Sequence, residues 1–165
     1  MAAVHTFDEL VKFLTENNVQ FRSDPQAWVM ELPTQSPPLV GNLYVRWEKA
    51  VPFLQIIQFM VDGVPAERVH DVETAIIRLN NTLEVGGFGF DHTARRLYCR
   101  MTIPVFQPDG INPIAINQLG NGIVRNALEF LEVFQAVIGG KSGETVVDIY
   151  KALAEKRRGP AAPPS

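Results

Sequence analysis

GGFGFDHTARRLYCRMTIPV, residues 86–105, is the stretch on which the reading of this chain turns. Two glycines and two phenylalanines lead into a polar break, DHTAR, and then into a strand-like run ending in Ile-Pro-Val. A nucleotide-binding loop and a β-hairpin make opposite demands on such a stretch. A Walker loop needs Gly-Lys-Ser/Thr opening into a helix, so that backbone N–H groups and the lysine converge on phosphate oxygens. Here a helical pattern precedes the glycines and a strand pattern follows them. The dinucleotide-binding glycine pattern fails for the same reason. The hairpin reading stands: strands over 87–91 and 96–104 around a DHTAR turn. Gly86-Gly87 would end the preceding helix in a left-handed conformation, and Gly89 would mark a bulge or a close backbone approach. GKSG at 140–143 only echoes a Walker loop, because it follows a helix and lacks the upstream glycine.

Outward from the hairpin, the periods are clear. Val69, Val72, Ile76, Leu79 and Leu83 form a helical stripe, with Pro65 and Glu67 suited to its first turn. Arg68, His70, Asp71, Glu73 and Arg78 make its polar face. PFLQIIQFM (52–60) reads as a strand with little alternation, covered on both faces. AWVMEL (27–32) and LYVRWE (43–48) alternate as strands. Thr6 and Glu9 have the spacing of a capping box for a first helix over 7–17, which Asn17-Asn18 ends. Asn112-Pro113 opens a long helical stretch. Gly120 and Gly122 interrupt it, each costing about 1 kcal/mol relative to Ala. Either the helix breaks there or something packs against its backbone. GGKSG (139–143) ends it, and a last helix runs over 144–156.

The order α-β-β-β-α-β-β-α-α predicts an α+β fold: an antiparallel five-stranded sheet with helices packed mainly on one face. Residues 1–155 form a single domain, and the basic, proline-rich 156–165 is expected to be a disordered tail.

Composition narrows the function classes. At 165 residues with 46% hydrophobic and 20% charged content, the chain suits one soluble globular domain. Its net charge of -3 argues against nucleic-acid binding, which draws affinity from Lys and Arg on phosphates. The clusters Arg95-Arg96 and Lys156-Arg157-Arg158 are too small to reverse that. No apolar run approaches the ~20 residues of a membrane span. One cysteine permits no intrachain disulfide, and the N-terminus lacks a signal-peptide pattern, so a cytoplasmic protein is expected.

Catalytic constellations are missing from the sequence. His5, His70 and His92 have no metal spacing, and no Gly-x-Ser-x-Gly elbow is present. Cys99 alternates with Leu97, Met101 and Ile103, as a small buried hydrophobe would. We therefore expect no cofactor, no metal and no enzyme activity. The aromatics Trp28, Tyr44, Trp47, Phe53, Phe59, Phe88 and Phe90 all fall on expected strands. Either they all pack under the helices or some face outward as a protein-binding patch. Trp28, Tyr44, Trp47, Phe53 and Phe88 are the candidate partner-binding residues. The alternative is a small-ligand site or an enzyme with a pocket between sheet and helices, for which Arg46, Arg100, Tyr44 and His92 are the polar candidates.

The run IIRLNNTLEVGGFGFDHTARRLYCRMTIPV (76–105) resembles the YbjN family, through Leu79-Asn80, Gly87-Phe88, Asp91, Arg100 and Pro104. The helix–hairpin–helix layout is also similar to class I type III secretion chaperones, whose fold YbjN-like domains share. The resemblance implies a non-enzymatic, dimeric α+β domain, chaperone-like or regulatory. It would bind another protein, or an extended segment of one, over apolar surface and strand edges.

Overall fold

A computed structural model describes residues 3–34, 38–39, 41–48, 50–51, 53–83, 86–105 and 109–158. The elements in chain order are α1 (Phe7–Glu16), β1 (Arg22–Asp24), β2 (Val29–Leu32), β3 (Leu43–Trp47), β4 (Phe53–Val61), α2 (Val69–Asn80), β5 (Gly87–Asp91), β6 (Arg96–Pro104), α3 (Pro113–Ile138) and α4 (Val146–Arg158). Short 3-10 turns at Ala66–Arg68 and Gly143–Thr145 lead into α2 and α4.

The helix ends follow local chemistry. Thr6 caps α1 by accepting the Glu9 N–H at 3.2 Å, while the Glu9 carboxylate reaches back to the His5 N–H at 2.6 Å. That is one residue further back than in the usual capping box. At the other end Asn18 is left-handed (φ 54), and Val19 and Asn18 donate to Leu14 and Thr15 in a Schellman motif. Asn112 caps α3 by accepting from the Ile114 N–H, with Pro113 as first helical residue.

The sheet is antiparallel in the order β1-β2-β3-β4-β6-β5, which makes six strands rather than the expected five. The additional strand is Arg-Ser-Asp, three exposed residues with no apolar side chain to signal it. Burial alternates strictly: Leu43, Val45, Trp47, Leu54, Ile56, Met60, Leu97, Cys99 and Met101 point to the helices and are buried. Tyr44, Arg46, Ile57, Phe59, Tyr98, Arg100 and Thr102 occupy the other face. β4 is thus covered on one side only. Its outer residues look apolar because they shield one another: Phe59 meets Tyr44 and Tyr98 edge-on at 5.4 and 6.2 Å.

α3 crosses β4 and β6 without a break at Gly120 or Gly122. Gly120 is where something packs close, since a Cβ there would stand 3.1 Å from Leu43 Cδ2. α2 lies against β5 and α3, and α4 against α3 and α2. Arg68 ties these helices together, donating to the Val137 and Lys141 carbonyls and pairing with Asp71 at 3.1 Å. α2 ends at Asn80, earlier than its stripe suggested. Gly86 (φ 79) leads into β5 rather than closing the helix. Gly89 is a close approach: a Cβ there would collide with the edge of the Tyr98 ring. α4 runs to Arg158, and 159–165 of the expected tail lie outside the described residues.

Candidate functional site

The two outer strands of the sheet carry backbone groups that no strand pairs, and the chain treats them differently. At β5, the register pairs Gly87, Gly89 and Asp91 with Arg100, Tyr98 and Arg96. The intervening Phe88 turns its backbone outward. Its N–H donates to Asn80 Oδ1 at 2.7 Å, and its carbonyl accepts from Asn80 Nδ2 at 3.0 Å. One side-chain amide thus occupies the place of a neighbouring strand. The Phe88 side chain is buried between Phe130 and Phe134, ring centroids 5.3 and 5.0 Å away. This edge is closed at Phe88.

β1 is the opposite edge. Arg22, Ser23 and Asp24 pair with Glu31, Met30 and Val29 and are all exposed. Its hairpin is set by Asp24, whose Oδ1 accepts the Gln26 and Ala27 N–H groups at 2.9 and 3.1 Å, and by Trp28 in the left-handed region (φ 55). Among the described residues no side chain is hydrogen-bonded to the β1 backbone from outside.

One strand in from this edge lies a cleft of about 370 Å³ between α1, β2–β3 and the first half of α3. Leu10, Met30, Leu43 and Val45 are its floor, while Phe13, Leu14 and Val124 form its sides. Val19 and Ile114 stand on its rim, both among the exposed large hydrophobics. Asn17, Thr34, Asn117 and Asn121 are its polar groups, and none of the described lining residues is titratable. Such a lining excludes water and leaves a few neutral donors and acceptors for orientation.

The residues singled out from sequence scatter around this site. Trp47 and Phe88 are 5% exposed and serve the chain's own core. Trp28 is half-buried, in the turn rather than in a strand, stacked on Phe7 at 6.2 Å. Phe53 is 37% exposed and Tyr44 is half-buried, both on the outer face of the sheet, away from the cleft. The polar candidates do not converge. Arg46 pairs with Glu48 at 3.1 Å, His92 with Glu73 at 3.0 Å, and Arg100 lies over the Tyr98 ring at 5.9 Å. Tyr44 donates to Glu31 at 3.2 Å; burial, and then the Glu31 charge, raise its pKa. Cys99 is buried, and desolvation pushes its thiol up to about 12, a protonated and inert sulfur at neutral pH.

The alternative of a pocket between sheet and helices named none of the residues that line this cleft, because its walls are ordinary helix and strand stripes that stop short of closing. The one available signal was Val19 and Ile114, apolar residues just outside the regular stripes.

Among the described residues no three His, Cys, Asp or Glu gather as a metal site, and no helix is long and apolar enough to cross a membrane. No family model and no curated protein matches the chain. Solved structures do. YbjN from E. coli, a candidate transcription regulator, is similar over 82% of this chain and 96% of its own, with a TM-score of 0.65 at 13% identity. The HopA1–SchA chaperone–effector complex matches over 76% of this chain and 94% of that one, at TM-score 0.53 and 15% identity. The ExsC–ExsE complex matches over 76% and 90%, at TM-score 0.57 and 12% identity. At these identities the likeness is one of fold: the chain has the YbjN-like, secretion-chaperone-like α+β fold.

Proposed function

We propose that this chain is a non-enzymatic protein-binding module, chaperone-like or regulatory, which takes an extended segment of a partner protein along β1. The observation that carries this reading is an open strand edge at β1 together with an uncharged, apolar cleft that begins one strand in, at β2. A strand added at β1 gains main-chain hydrogen bonds, while alternate side chains enter the cleft and provide selectivity. That one of the similar structures is a chaperone with its effector supports the same reading. Tyr44 and Phe53, with Trp28 at the hairpin tip, are further partner contacts in this proposal. Trp47 and Phe88 act through the packing beneath them.

The module works in the cytoplasm as a homodimer, in this reading. Its seat for a second copy is α2, where Ile77 is 65% exposed, the largest value among the exposed large hydrophobics. Light scattering of the 18.4 kDa chain should give twice that mass, and Ile77→Glu should return the monomer. A monomeric wild type refutes the dimer.

The partner seat is tested with a photo-crosslinking residue placed at Ile114, at Val19 or, as a control, at Lys151, exposed on α4. Crosslinks to one partner peptide from the first two positions and none from the third are expected. Equal labelling from all three removes the cleft from the proposal. The cleft also supports a second reading, a small apolar ligand held between sheet and helices. Solvent-extracted material from the purified chain, identified by mass spectrometry, decides between them.

A further inference from the structure

The cleft is uncovered along its rim, where Val19 and Ile114 are 37% and 44% exposed. None of the described residues that line it carries a charge. Its occupant must therefore be uncharged as well, because a charge brought onto such a lining loses water and gains no partner.

α4 ends on the same side of α3. Asn117, Asn121, Val124, Leu128 and Glu132 recur at steps of 4, 3, 4 and 4, so they share one face of that helix. The first three line the cleft, and Glu132 pairs with Arg157 of α4 at 3.1 Å. Both terminal nitrogens of Arg157 also donate to the Glu129 carbonyl at 3.3 Å. At 1.5 Å per residue, Val124 lies ~7.5 Å along the axis from Glu129, and Asn117 ~18 Å. Beyond α4 the sequence continues as Gly159-Pro160-Ala161-Ala162-Pro163-Pro164-Ser165. In polyproline II geometry, at 3.1 Å per residue, such a segment spans ~22 Å. That is enough to follow this face of α3 as far as Asn117.

We infer that residues 159–165 of the chain itself occupy this cleft when no partner holds it. Their side chains are uncharged and none is larger than a proline ring, which suits the lining. Prolines at 160, 163 and 164 fix φ near its polyproline II value, so less chain entropy is lost on docking. Carbonyls are then the main polar groups of the segment, and the side-chain amides of Asn17, Asn117 and Asn121 supply donors for them. Tethering does the rest, since a segment held this near acts at a millimolar effective concentration and a weak fit suffices. The same prolines bar the segment from β1, where a ladder needs N–H donors. A partner segment that gains both the edge and the cleft therefore displaces it. Occupancy stands on reach and composition, and only this displacement rests on the reading of the cleft as a partner seat.

The test attaches a nitroxide to the full chain through Ser165→Cys and reads line broadening of amide signals by NMR. Cys99 is buried and its thiol is protonated at neutral pH, so the label goes to the introduced residue. Asn17, Asn117 and Asn121 should lose most of their intensity, whereas His92 in the opposite hairpin should keep it. Ala161→Asp with Ala162→Asp puts two charges in the segment, outside the described fold, and should restore the three signals several-fold. If the charged variant leaves the broadening unchanged, the segment is only tethered nearby and the inference is overturned. Broadening confined to the end of α4 overturns it too. So does broadening in a mixture of spin-labelled chains with spin-free, isotope-labelled ones, because the occupant then comes from a second copy. None of these failures touches the partner seat, which the crosslinks from Val19 and Ile114 test separately. With the segment found in the cleft, those crosslinks should increase in the charged variant, and an unchanged yield refutes the displacement alone.

Discussion

Asp24-Pro25-Gln26-Ala27-Trp28 and Asp91-His92-Thr93-Ala94-Arg95 make the same turn at opposite ends of the sheet. In each, the aspartate Oδ1 accepts backbone N–H groups two and three residues on, at 2.9 and 3.1 Å. In each, the fifth residue is left-handed, with φ 55 at Trp28 and 48 at Arg95. The hairpins then diverge. The second sends Phe88 into the helices and has its backbone bracketed by Asn80, whereas the first exposes all three residues of β1. Turn chemistry therefore sets up a hairpin without deciding whether its edge is closed. Closure is supplied from outside the hairpin, by one amide at the end of α2.

The comparison is broken most directly in the core. Phe88→Ala should leave a cavity between Phe130 and Phe134 and cost about 3–5 kcal/mol in urea unfolding, whereas Ser23→Ala should stay within about 0.5 kcal/mol. Comparable losses at the two sites would mean that the edges are not energetically different. Asn80→Ala comes next, at about 2 kcal/mol, because two backbone groups of a half-buried strand lose their partners. Amide exchange at Phe88 should then rise toward the rate seen in β1, and an unchanged rate would show that Asn80 does not close the edge.

The paired turns give a finer test. Asp91→Ala and Asp24→Ala remove the same two hydrogen bonds, each pair worth about 1 kcal/mol. The loss at Asp91 should appear in global unfolding. At Asp24 it should appear as faster exchange confined to 22–32, since an edge strand with no buried side chain opens locally. The smallest effect is a sign difference. Arg95→Gly should stabilise by about 0.5 kcal/mol by relieving a left-handed non-glycine residue. Trp28→Gly relieves the same strain yet should destabilise, because its ring stacks on Phe7. If both variants stabilise, the stacking carries no weight.

Much of the architecture was legible. The hairpin boundaries 87–91 and 96–104, the Asn112 cap and the Asn17-Asn18 stop all rest on local rules, which a short window of sequence contains in full. β1 was missed because three polar residues have no period, although Asp24-x-x-Ala27 repeats the turn chemistry of Asp91-x-x-Ala94. Trp28 was placed in a strand because an aromatic before Val-Met-Glu-Leu continues the alternation. Only its φ shows otherwise. The aromatics of the candidate site divided in a way that alternation alone does not settle. Tyr44 and Trp47 lie three apart on one strand and so face opposite sides, and the helices decide which side is water.

By itself, then, the sequence determined the order of elements, the turn chemistry, the continuous α+β pattern and the acid excess. These depend on contacts within a few residues, or on sums over the chain. The tertiary structure alone decided that Asn80 brackets Phe88 at one edge while the other stays open, and that Gly120 lets α3 approach Leu43. Each of these brings together residues far apart in the chain, and such meetings follow from how the helices dock on the sheet.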